Sequence, residues 1–127
     1  MKILIDTHIL IWVLTDEKQK LSSLEIEAIE NTENQVFVSI VSLWEIGIKN
    51  SLGRLNLKRN LDLFFELVAK TDFQVLPISE KEIIQMSQLP FHHNDPFDRL
   101  ILGQAIAYKL TLISKDAAFR KYDVNFL

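Results

Sequence analysis

The chain has 127 residues, a net charge of −3 and 48% hydrophobic residues, which is typical of one compact globular domain with a substantial core. It contains no cysteine, which excludes disulfides, thiolate metal sites and a cysteine nucleophile. No stretch approaches the roughly 18 uninterrupted apolar residues of a membrane span, and Asp6 and His8 interrupt the apolar N-terminus, which lacks a signal-peptide cleavage site. We therefore expect a cytoplasmic protein.

Short apolar runs alternate with helical patterns along the chain. The runs with strand character are Ile3–Ile5, Val36–Val38, Val75–Leu76 and Thr111–Ile113. The residues spaced as on a buried helix face are Leu61, Phe64, Phe65 and Val68, and later Ile101, Ala105 and Tyr108. Strands that alternate with helices predict an α/β fold with a mostly parallel central sheet covered on both faces, forming a single domain over residues 1–127.

Several helix starts carry capping signals. The Ser-x-x-Glu pattern, in which two side chains satisfy each other's exposed backbone N–H groups, occurs in the pairs Ser22 and Glu25, Ser42 and Glu45, and Ser79 and Glu82. Asp95 followed by Pro96 predicts an N-cap and a proline in the first helical position.

Four acidic residues are expected at one edge of this sheet. Asp6 directly follows the first strand, and Asp116 follows the strand Thr111–Ile113 after a short step. Glu45 is predicted in the first turn of the helix after the second strand, and Asp98 in the first turn of the helix that Pro96 opens. Carboxyl ends of parallel strands meet at the edge where ligands bind, so these acids are predicted to converge in one cleft.

Converging carboxylates favour a bound cation. Several like charges within a few Å raise each other's pKa and resist full ionisation unless a positive charge compensates them. Oxygen ligands without cysteine suit Mg²⁺ or Mn²⁺. Such a site polarises a phosphoryl oxygen and activates a water, so metal-dependent phosphodiester hydrolysis is the predicted chemistry.

Each acid also has a structural interpretation. Glu45 fits the third position of a capping box, and both Asp95 and Asp98 fit helix N-terminal positions favoured by the helix dipole. Asp95 alone suffices as the cap, which leaves Asp98 free for the cleft. Asp6 is the hardest to explain structurally, because an acid at the end of a central apolar strand is costly to bury without a charge partner. Asp116 alone would be an ordinary loop acid.

Basic residues are concentrated where acids are absent. No acid occurs from Ile46 to Leu61, whereas Lys49, Arg54, Lys58 and Arg59 all fall there, and a second group contains Lys115, Arg120 and Lys121. Lys49, Arg54 and Lys115 are the candidate contacts for a nucleic-acid backbone. An ordinary solvated helix end and loop is the alternative.

The remaining polar and aromatic candidates have structural interpretations. His92 and His93 precede Asn94 and Asp95, and this cluster suggests a metal site, but adjacent residues of an extended segment point apart. Both are therefore interpreted as loop or capping residues, with contact to the substrate as the alternative. Trp12 and Trp44 are interpreted as core or interface anchors rather than base-stacking platforms. Thr7 either donates a hydrogen bond to a carboxylate or caps the first helix.

Two other functions fit parts of this pattern. A phospho-accepting or phosphatase α/β domain also places aspartates and Mg²⁺ at strand ends, but the first strand here is not followed by an acidic pair. A non-catalytic module that binds RNA or a protein would use the acids only as helix caps. Phosphorylation by a small phosphodonor would identify the first class, and insensitivity to Mg²⁺ the second.

Four segments of the chain resemble the PIN-domain family, and within it the VapC-type toxins of bacterial toxin–antitoxin pairs. They are ILIDTHILIW, VSIVSLWEIGIKNSLGRL, LPFHHNDPFDRLILGQA and LISKDAAFRKY. The resemblance implies a three-layer α/β/α sandwich and a Mg²⁺- or Mn²⁺-dependent endoribonuclease that a cognate antitoxin inhibits by blocking the acidic pocket.

The resemblance also assigns residues. It matches the family's metal-binding acids to Asp6, Glu45, Asp98 and Asp116, and it gives Asp95 a supporting role in orienting water or a metal ligand. It implies a homodimer as well. Large apolar residues around the third helix are consistent with a surface that a second copy or an antitoxin helix covers: Trp44, Ile48, Leu52, Leu55 and Leu57.

Overall fold

Five parallel strands form the central sheet of the computed structural model, which describes residues 1–127. The strands are β1 (Lys2–Ile5), β2 (Gln35–Ser39), β3 (Gln74–Leu76), β4 (Thr111–Ile113) and β5 (Asn125–Phe126). Their order is β3-β2-β1-β4-β5, and each neighbouring pair is parallel. The four strands expected from the sequence are confirmed. The edge strand β5 was not predicted, because its two residues are too few to show a periodic pattern.

Six α-helices connect and cover the strands. They are α1 (Thr7–Leu14), α2 (Ser23–Glu30), α3 (Ile40–Ser51), α4 (Leu61–Lys70), α5 (Glu80–Ser87) and α6 (Pro96–Ala107). Short 3₁₀ turns occupy Lys18–Lys20 and Ala117–Lys121. None of the α-helices combines the length and the apolar character that crossing a membrane would require.

Most of the helix-start predictions are confirmed. Capping boxes join Ser22 to Glu25 at the start of α2 and Ser79 to Glu82 at the start of α5. Asp95 caps α6, and a proline occupies its first turn.

The predicted capping box of Ser42 and Glu45 is wrong. Helix α3 begins earlier, at Ile40, because strand β2 runs directly into it and Ser39 supplies the cap: its Oγ accepts a hydrogen bond of 3.0 Å from the N–H of Val41. Glu45 therefore lies in the second turn of α3 rather than in the first.

The predicted buried face of the last long helix also ends sooner than expected. Ile101 and Ala105 are buried, but α6 stops at Ala107, and Tyr108 is an exposed C-cap residue. Its hydroxyl donates a hydrogen bond of 2.7 Å to Oε1 of Glu82 on α5.

Successive side chains along the strands point to opposite faces of the sheet and belong to two separate hydrophobic cores. Ile3 and Ile5 of β1 belong to a cluster that contains residues of α1, α2 and α4, whereas Leu4 between them packs with Leu102 and other residues of α6. Strands covered on both faces read as continuous apolar runs, as these do. Helices on both sides of a parallel sheet make the three-layer sandwich that the sequence predicts, and they leave the carboxyl edge of the strands open for a site.

A glycine sets the close approach of α5 and α6. A Cβ on Gly103 would lie 2.9 Å from the carbonyl oxygen of Glu82 and 3.2 Å from the Cβ of Met86. Only glycine therefore allows α6 to pack this closely against α5, and α6 is the helix that carries Asp98.

Candidate active site

Strands β1 and β4 deliver two neighbouring polar residues to the sheet edge. Ile5 pairs with Ile113, so Asp6 and Ser114 leave the sheet side by side, and the Ser114 hydroxyl donates a short hydrogen bond to Oδ2 of Asp6. Oδ1 of Asp6 accepts a hydrogen bond of 3.0 Å from the N–H of Ile9 and so caps α1. Burial raises the pKa of the Asp6 carboxyl above its usual range despite these hydrogen bonds.

Glu45 projects from the second turn of α3 into the same region and is only 3% exposed. Its Oε1 accepts a hydrogen bond of 2.7 Å from the Thr7 hydroxyl, and its Oε2 lies 2.6 Å from Nζ of Lys49. Both oxygens are thus engaged by side chains, and neither caps a helix. Of the two roles considered for Thr7, the structure shows the hydrogen bond to a carboxylate.

The start of α6 contributes two further acids. Oδ1 of Asp95 accepts hydrogen bonds from the N–H groups of Phe97 and Asp98, at 2.8 and 3.1 Å, which confirms its capping role. Asp98 uses none of its carboxylate oxygens for capping. Burial, followed by the nearby negative charges of Asp95 and Glu45, raises the pKa of the Asp98 carboxyl to about 7.

Asp116 reaches the site from the 3₁₀ turn after β4. Its Oδ1 accepts a hydrogen bond of 2.9 Å from the N–H of Ala118, and Ser114 Oγ accepts one of 3.1 Å from the Asp116 N–H. Its Oδ2 remains directed at the site, 2.9 Å from Nε2 of His93. Ser114 therefore links the acids that follow β1 and β4.

These residues line one open cleft of about 340 Å³ at the carboxyl edge of the sheet. The lining residues are Asp6, Thr7, His8, Trp12, Glu45, Lys49, Asp95, Asp98, Lys115 and Asp116. The five acids outnumber the two lysines, so the cleft is acidic at neutral pH. All four acids selected from the sequence face this single cleft.

The tightest group of potential ligands combines two of these acids with a histidine. One atom each of His93, Asp98 and Asp116 lies within 4.8 Å of the others, and His93 Nε2 is 2.9 Å from Oδ2 of both aspartates. Asp6 and Glu45 lie outside this group. The oxygens of Asp6 contact Ser114 and the N–H of Ile9, and those of Glu45 contact Thr7 and Lys49.

The donor set fits a hard divalent cation. The cleft offers carboxylate oxygens and no thiolate, which suits Mg²⁺ or Mn²⁺. Burial, and after it the negative charges of Asp95 and Glu45, raises the pKa of Asp98, and a bound cation would favour its ionised form.

His93 was missed as a site residue. The sequence placed it in a His-His-x-Asp segment, but the partner of its ring, Asp116, is 23 residues away and reaches it only through the fold. Its neighbour His92 packs edge-on against Tyr122 and does not line the cleft.

The aromatic predictions separate into two outcomes. Trp12 is partly buried against the main core, and it also lines the cleft beside His8, with ring centroids 5.8 Å apart. Trp44 is 58% exposed and touches Phe97 edge-on, which leaves an interface role open to it.

The basic residues are distributed unevenly. Lys49 and Lys115 line the cleft, paired with Glu45 and Glu25 respectively, each at 2.6 Å. Arg54 lies exposed in the loop after α3 and does not line it.

Two basic residues of the acid-free stretch support the fold instead. Lys58 Nζ donates to the carbonyl of Thr15 at 2.6 Å, and Arg59 donates to that of Leu14 at 2.8 Å. They satisfy the C-terminal end of α1.

A family model described as the PIN domain matches residues 3–125, nearly the whole chain. The chain belongs to the PIN-domain family. A comparison of this PIN domain with curated proteins found no match.

Solved structures share its fold across the full chain length. One is VapBC2 from Rickettsia felis bound to a DNA fragment from its promoter, with 18% identity, a TM-score of 0.72, and coverage of 100% of this chain and 98% of that one. DNA-bound VapBC from Salmonella typhimurium is 20% identical with a TM-score of 0.71, and the match covers 100% of this chain and 97% of that one. FitAcB from Neisseria gonorrhoeae is 19% identical with a TM-score of 0.69, and the match covers 98% of this chain and 96% of that one. At these identities the likeness establishes the fold of the PIN domain.

Proposed function

We propose that this chain is a single PIN domain that acts as a Mg²⁺- or Mn²⁺-dependent endoribonuclease. The observation that carries the proposal is the convergence of Asp6, Glu45, Asp98 and Asp116, from four separate segments, on one open cleft of a PIN fold. Acids needed only as helix caps would not have to share a cleft, and Glu45 and Asp98 cap nothing.

The four acids hold the cation in this proposal. A Mg²⁺ or Mn²⁺ ion held by these acids would supply Lewis-acid activation of a phosphoryl oxygen and of a water molecule. Burial and the neighbouring acids raise the pKa of Asp98 to about 7, so cation binding would displace its proton near neutral pH. Thr7 orients Glu45, and Asp95 fixes the helix turn that carries Asp98.

We propose RNA as the substrate because the chain belongs to the PIN-domain family. Lys49 and Lys115 are placed at the cleft to contact the phosphate backbone, with Arg54 as a more distant contact on the adjoining loop. Their present carboxylate partners also neutralise them, so the metal is needed to make the cleft attractive to a polyanion.

We further propose that the protein is the cytoplasmic toxin of a toxin–antitoxin pair. The similar structures include VapBC complexes and a toxin–antitoxin complex from Klebsiella pneumoniae. Trp44 and Ile48 on α3 and its C-cap residue Leu52 form an exposed apolar row. A second copy of the chain or the antitoxin would cover this surface. Leu57 is buried and Leu55 is half-buried, so these two belong to the monomer's core.

The test is cleavage of labelled RNA by the purified chain with Mg²⁺, Mn²⁺ or EDTA. Wild type should cleave only with metal, and Asp6→Asn and Asp98→Asn should each lose cleavage while remaining folded. Asp72→Asn is the matched control, since Asp72 is an exposed acid far from the cleft and should cleave as wild type does.

Several outcomes would contradict the proposal. Full cleavage by Asp98→Asn would refute the assigned site, and cleavage in EDTA would refute the metal requirement. Stabilisation of the wild type by Mg²⁺ that persists in Asp6→Asn would place the cation elsewhere. A covalent phospho-aspartate formed with a small phosphodonor would favour a phospho-accepting domain.

A further inference from the structure

A buried arginine organises the loop that carries His93. Arg99 is 4% exposed and forms no ion pair; its guanidinium instead donates to four backbone carbonyls. Nη1 reaches the carbonyls of Pro90 and His93 at 3.0 and 3.2 Å, and Nη2 those of Met86 and Leu89, both at 3.1 Å. The guanidinium also lies over the Phe91 ring, 4.2 Å from its centroid. Its hydrogen bonds fix the positions of the four carbonyls, because moving any of them leaves a buried donor unsatisfied.

A second side chain, Tyr122, anchors the same loop. The Tyr122 hydroxyl accepts a hydrogen bond of 2.9 Å from the His93 N–H and donates one of 2.8 Å to the Pro90 carbonyl. Both backbone polar groups of His93 are therefore held, one by Tyr122 and one by Arg99. Such anchoring is unnecessary for an ordinary loop residue.

The orientation of the His93 ring identifies its tautomer. Nδ1 accepts a hydrogen bond of 3.1 Å from the backbone N–H of Asp95. A backbone N–H can only donate, so Nδ1 carries no proton, and the proton of the imidazole resides on Nε2. That Nε2 lies 2.9 Å from Oδ2 of Asp116 and 2.9 Å from Oδ2 of Asp98.

We propose that His93 is a positioning residue: its Nε2–H holds Asp98 and Asp116 together for the cation, and the imidazole is not itself a metal ligand. This inference rests on the metal site of the proposed function. Without the Nε2–H, two carboxylate oxygens that share a narrow space would repel each other and separate. The hydrogen-bond donor keeps them converged before metal arrives.

Direct ligation by His93 is the alternative that the ring orientation disfavours. Nε2 would have to lose its proton, and the proton would have to move to Nδ1, where the Asp95 N–H already points. Metal-binding histidines normally donate their second N–H to an acceptor, and here that nitrogen meets a donor. In the segment His-Asn-Asp-Pro-Phe-Asp-Arg, the Asp95 N–H thus fixes the His93 ring and Arg99 fixes the backbone. The ring then binds Asp116 and lies in contact with Asp98.

The first experiment reads the tautomer in the full-length, metal-free protein. Histidine is labelled with ¹⁵N, and long-range ¹H–¹⁵N correlations are recorded near pH 8, with His93→Gln used to assign the signal. We expect Nδ1 of His93 to show the shift of an unprotonated nitrogen and Nε2 that of a protonated one. The opposite tautomer, or a doubly protonated ring, would overturn the inference.

The second experiment measures Mn²⁺ binding by electron paramagnetic resonance of free Mn²⁺. His93→Ala should weaken binding about tenfold, as the loss of a group that supports metal ligands typically does. His93→Gln, which keeps an N–H donor, should recover part of the affinity. Asp72→Asn is the matched control and should bind as wild type does, since Asp72 is an exposed acid that does not line the cleft.

Electron spin-echo envelope modulation then separates the two roles. Bound Mn²⁺ should show no directly coordinated ¹⁴N in the wild type, whereas the strong coupling of an imidazole ligand would overturn the positioning role. Equal affinity of wild type and His93→Ala would overturn it too. If His93→Ala fails to fold, the tautomer of the wild type and the Mn²⁺ affinity of His93→Gln still test the positioning role.

None of these measurements uses RNA, so this inference and the proposed function fail independently. Mn²⁺ binding with the expected tautomer but without RNA cleavage would refute the nuclease alone. Metal-dependent cleavage with the opposite tautomer would refute the role of His93 alone.

Discussion

The Thr7 hydroxyl donates a hydrogen bond of 2.7 Å to Oε1 of Glu45, which joins the start of α1 to the second turn of α3. Thr7 directly follows Asp6, so the residue next to one acid of the cleft orients another. Lys49 occupies the other oxygen of Glu45 at 2.6 Å. The Glu45 side chain is therefore fixed from two sides before any cation binds.

Thr7→Val should uncouple these two acids. The substitution keeps the side-chain shape but removes the hydroxyl, and the buried Glu45 oxygen then lacks its neutral donor. We expect a loss of about 1–3 kcal/mol in the free energy of unfolding, measured in urea, and a roughly tenfold slower metal-dependent cleavage. Thr7→Ser retains the hydroxyl and should preserve both quantities. Indistinguishable values for the two variants would show that the hydrogen bond has no such role.

Glu45→Gln should separate a metal-binding role from a capping role. Glu45 caps nothing, and glutamine retains a side-chain oxygen that accepts the Thr7 hydrogen bond. Because the lost ion pair with the part-exposed Lys49 contributes little, we expect a stability change within about 1 kcal/mol but loss of metal-dependent cleavage. Glu82→Gln, which alters a genuine capping box, should instead lower stability by about 1–2 kcal/mol. A Glu45→Gln variant that unfolds more easily yet cleaves normally would contradict the assignment.

The stability of the metal-free protein should depend on pH through Asp98. Its pKa rises from 3.8 to about 7 on folding, so between these values the folded protein retains a proton that the unfolded chain has released. Stability from this group therefore falls as pH rises from about 4 to about 7 and is constant above that range. After discounting for partial exposure, the loss is on the order of 2 kcal/mol.

The measurement is urea unfolding at several pH values in EDTA, with Asp98→Asn as the reference that cancels the other titrating groups. Relative to Asp98→Asn, wild type should become less stable as pH rises. Added Mg²⁺ or Mn²⁺ competes with the proton, so its stabilising effect on wild type should grow with pH. A pH-independent difference between the two proteins would contradict the raised pKa.

The strands and the main acids were predictable because their signals are local. Ile3–Ile5 is an unbroken apolar run followed at once by Asp6, and Pro96 marks the turn that carries Asp98. The environment of Glu45 was mispredicted, since Ser39 and Ser42 both suit a helix start and only the length of β2 decides between them.

Other features depend on contacts that no local pattern contains. His93 meets Asp116 across 23 residues, and Lys58 binds the carbonyl of Thr15 across 43. A basic residue or a histidine either supports the fold or lines a functional site, and its spatial partner determines which of these roles it has. The sequence likewise showed that many apolar residues lie around α3. It did not show which of them are exposed, as Trp44 is, and which are buried, as Leu57 is.

Gly103 and Gly47 should respond oppositely to the same substitution. Both lie within α-helices, where alanine is intrinsically favoured over glycine by about 1 kcal/mol. At Gly47 the new Cβ meets only Leu61 Cδ2, at 4.0 Å, so Gly47→Ala should stabilise the protein by about that amount. At Gly103 the Cβ would lie 2.9 Å from the Glu82 carbonyl oxygen, which α5 holds in place, so Gly103→Ala should destabilise by about 1–3 kcal/mol through overpacking.

Because the displaced helix carries Asp98, cleavage by Gly103→Ala should fall as well, whereas Gly47→Ala should stay active. Urea unfolding and the RNA cleavage assay measure both effects, and a stabilised Gly103→Ala would show that α5 and α6 separate more readily than their packing implies.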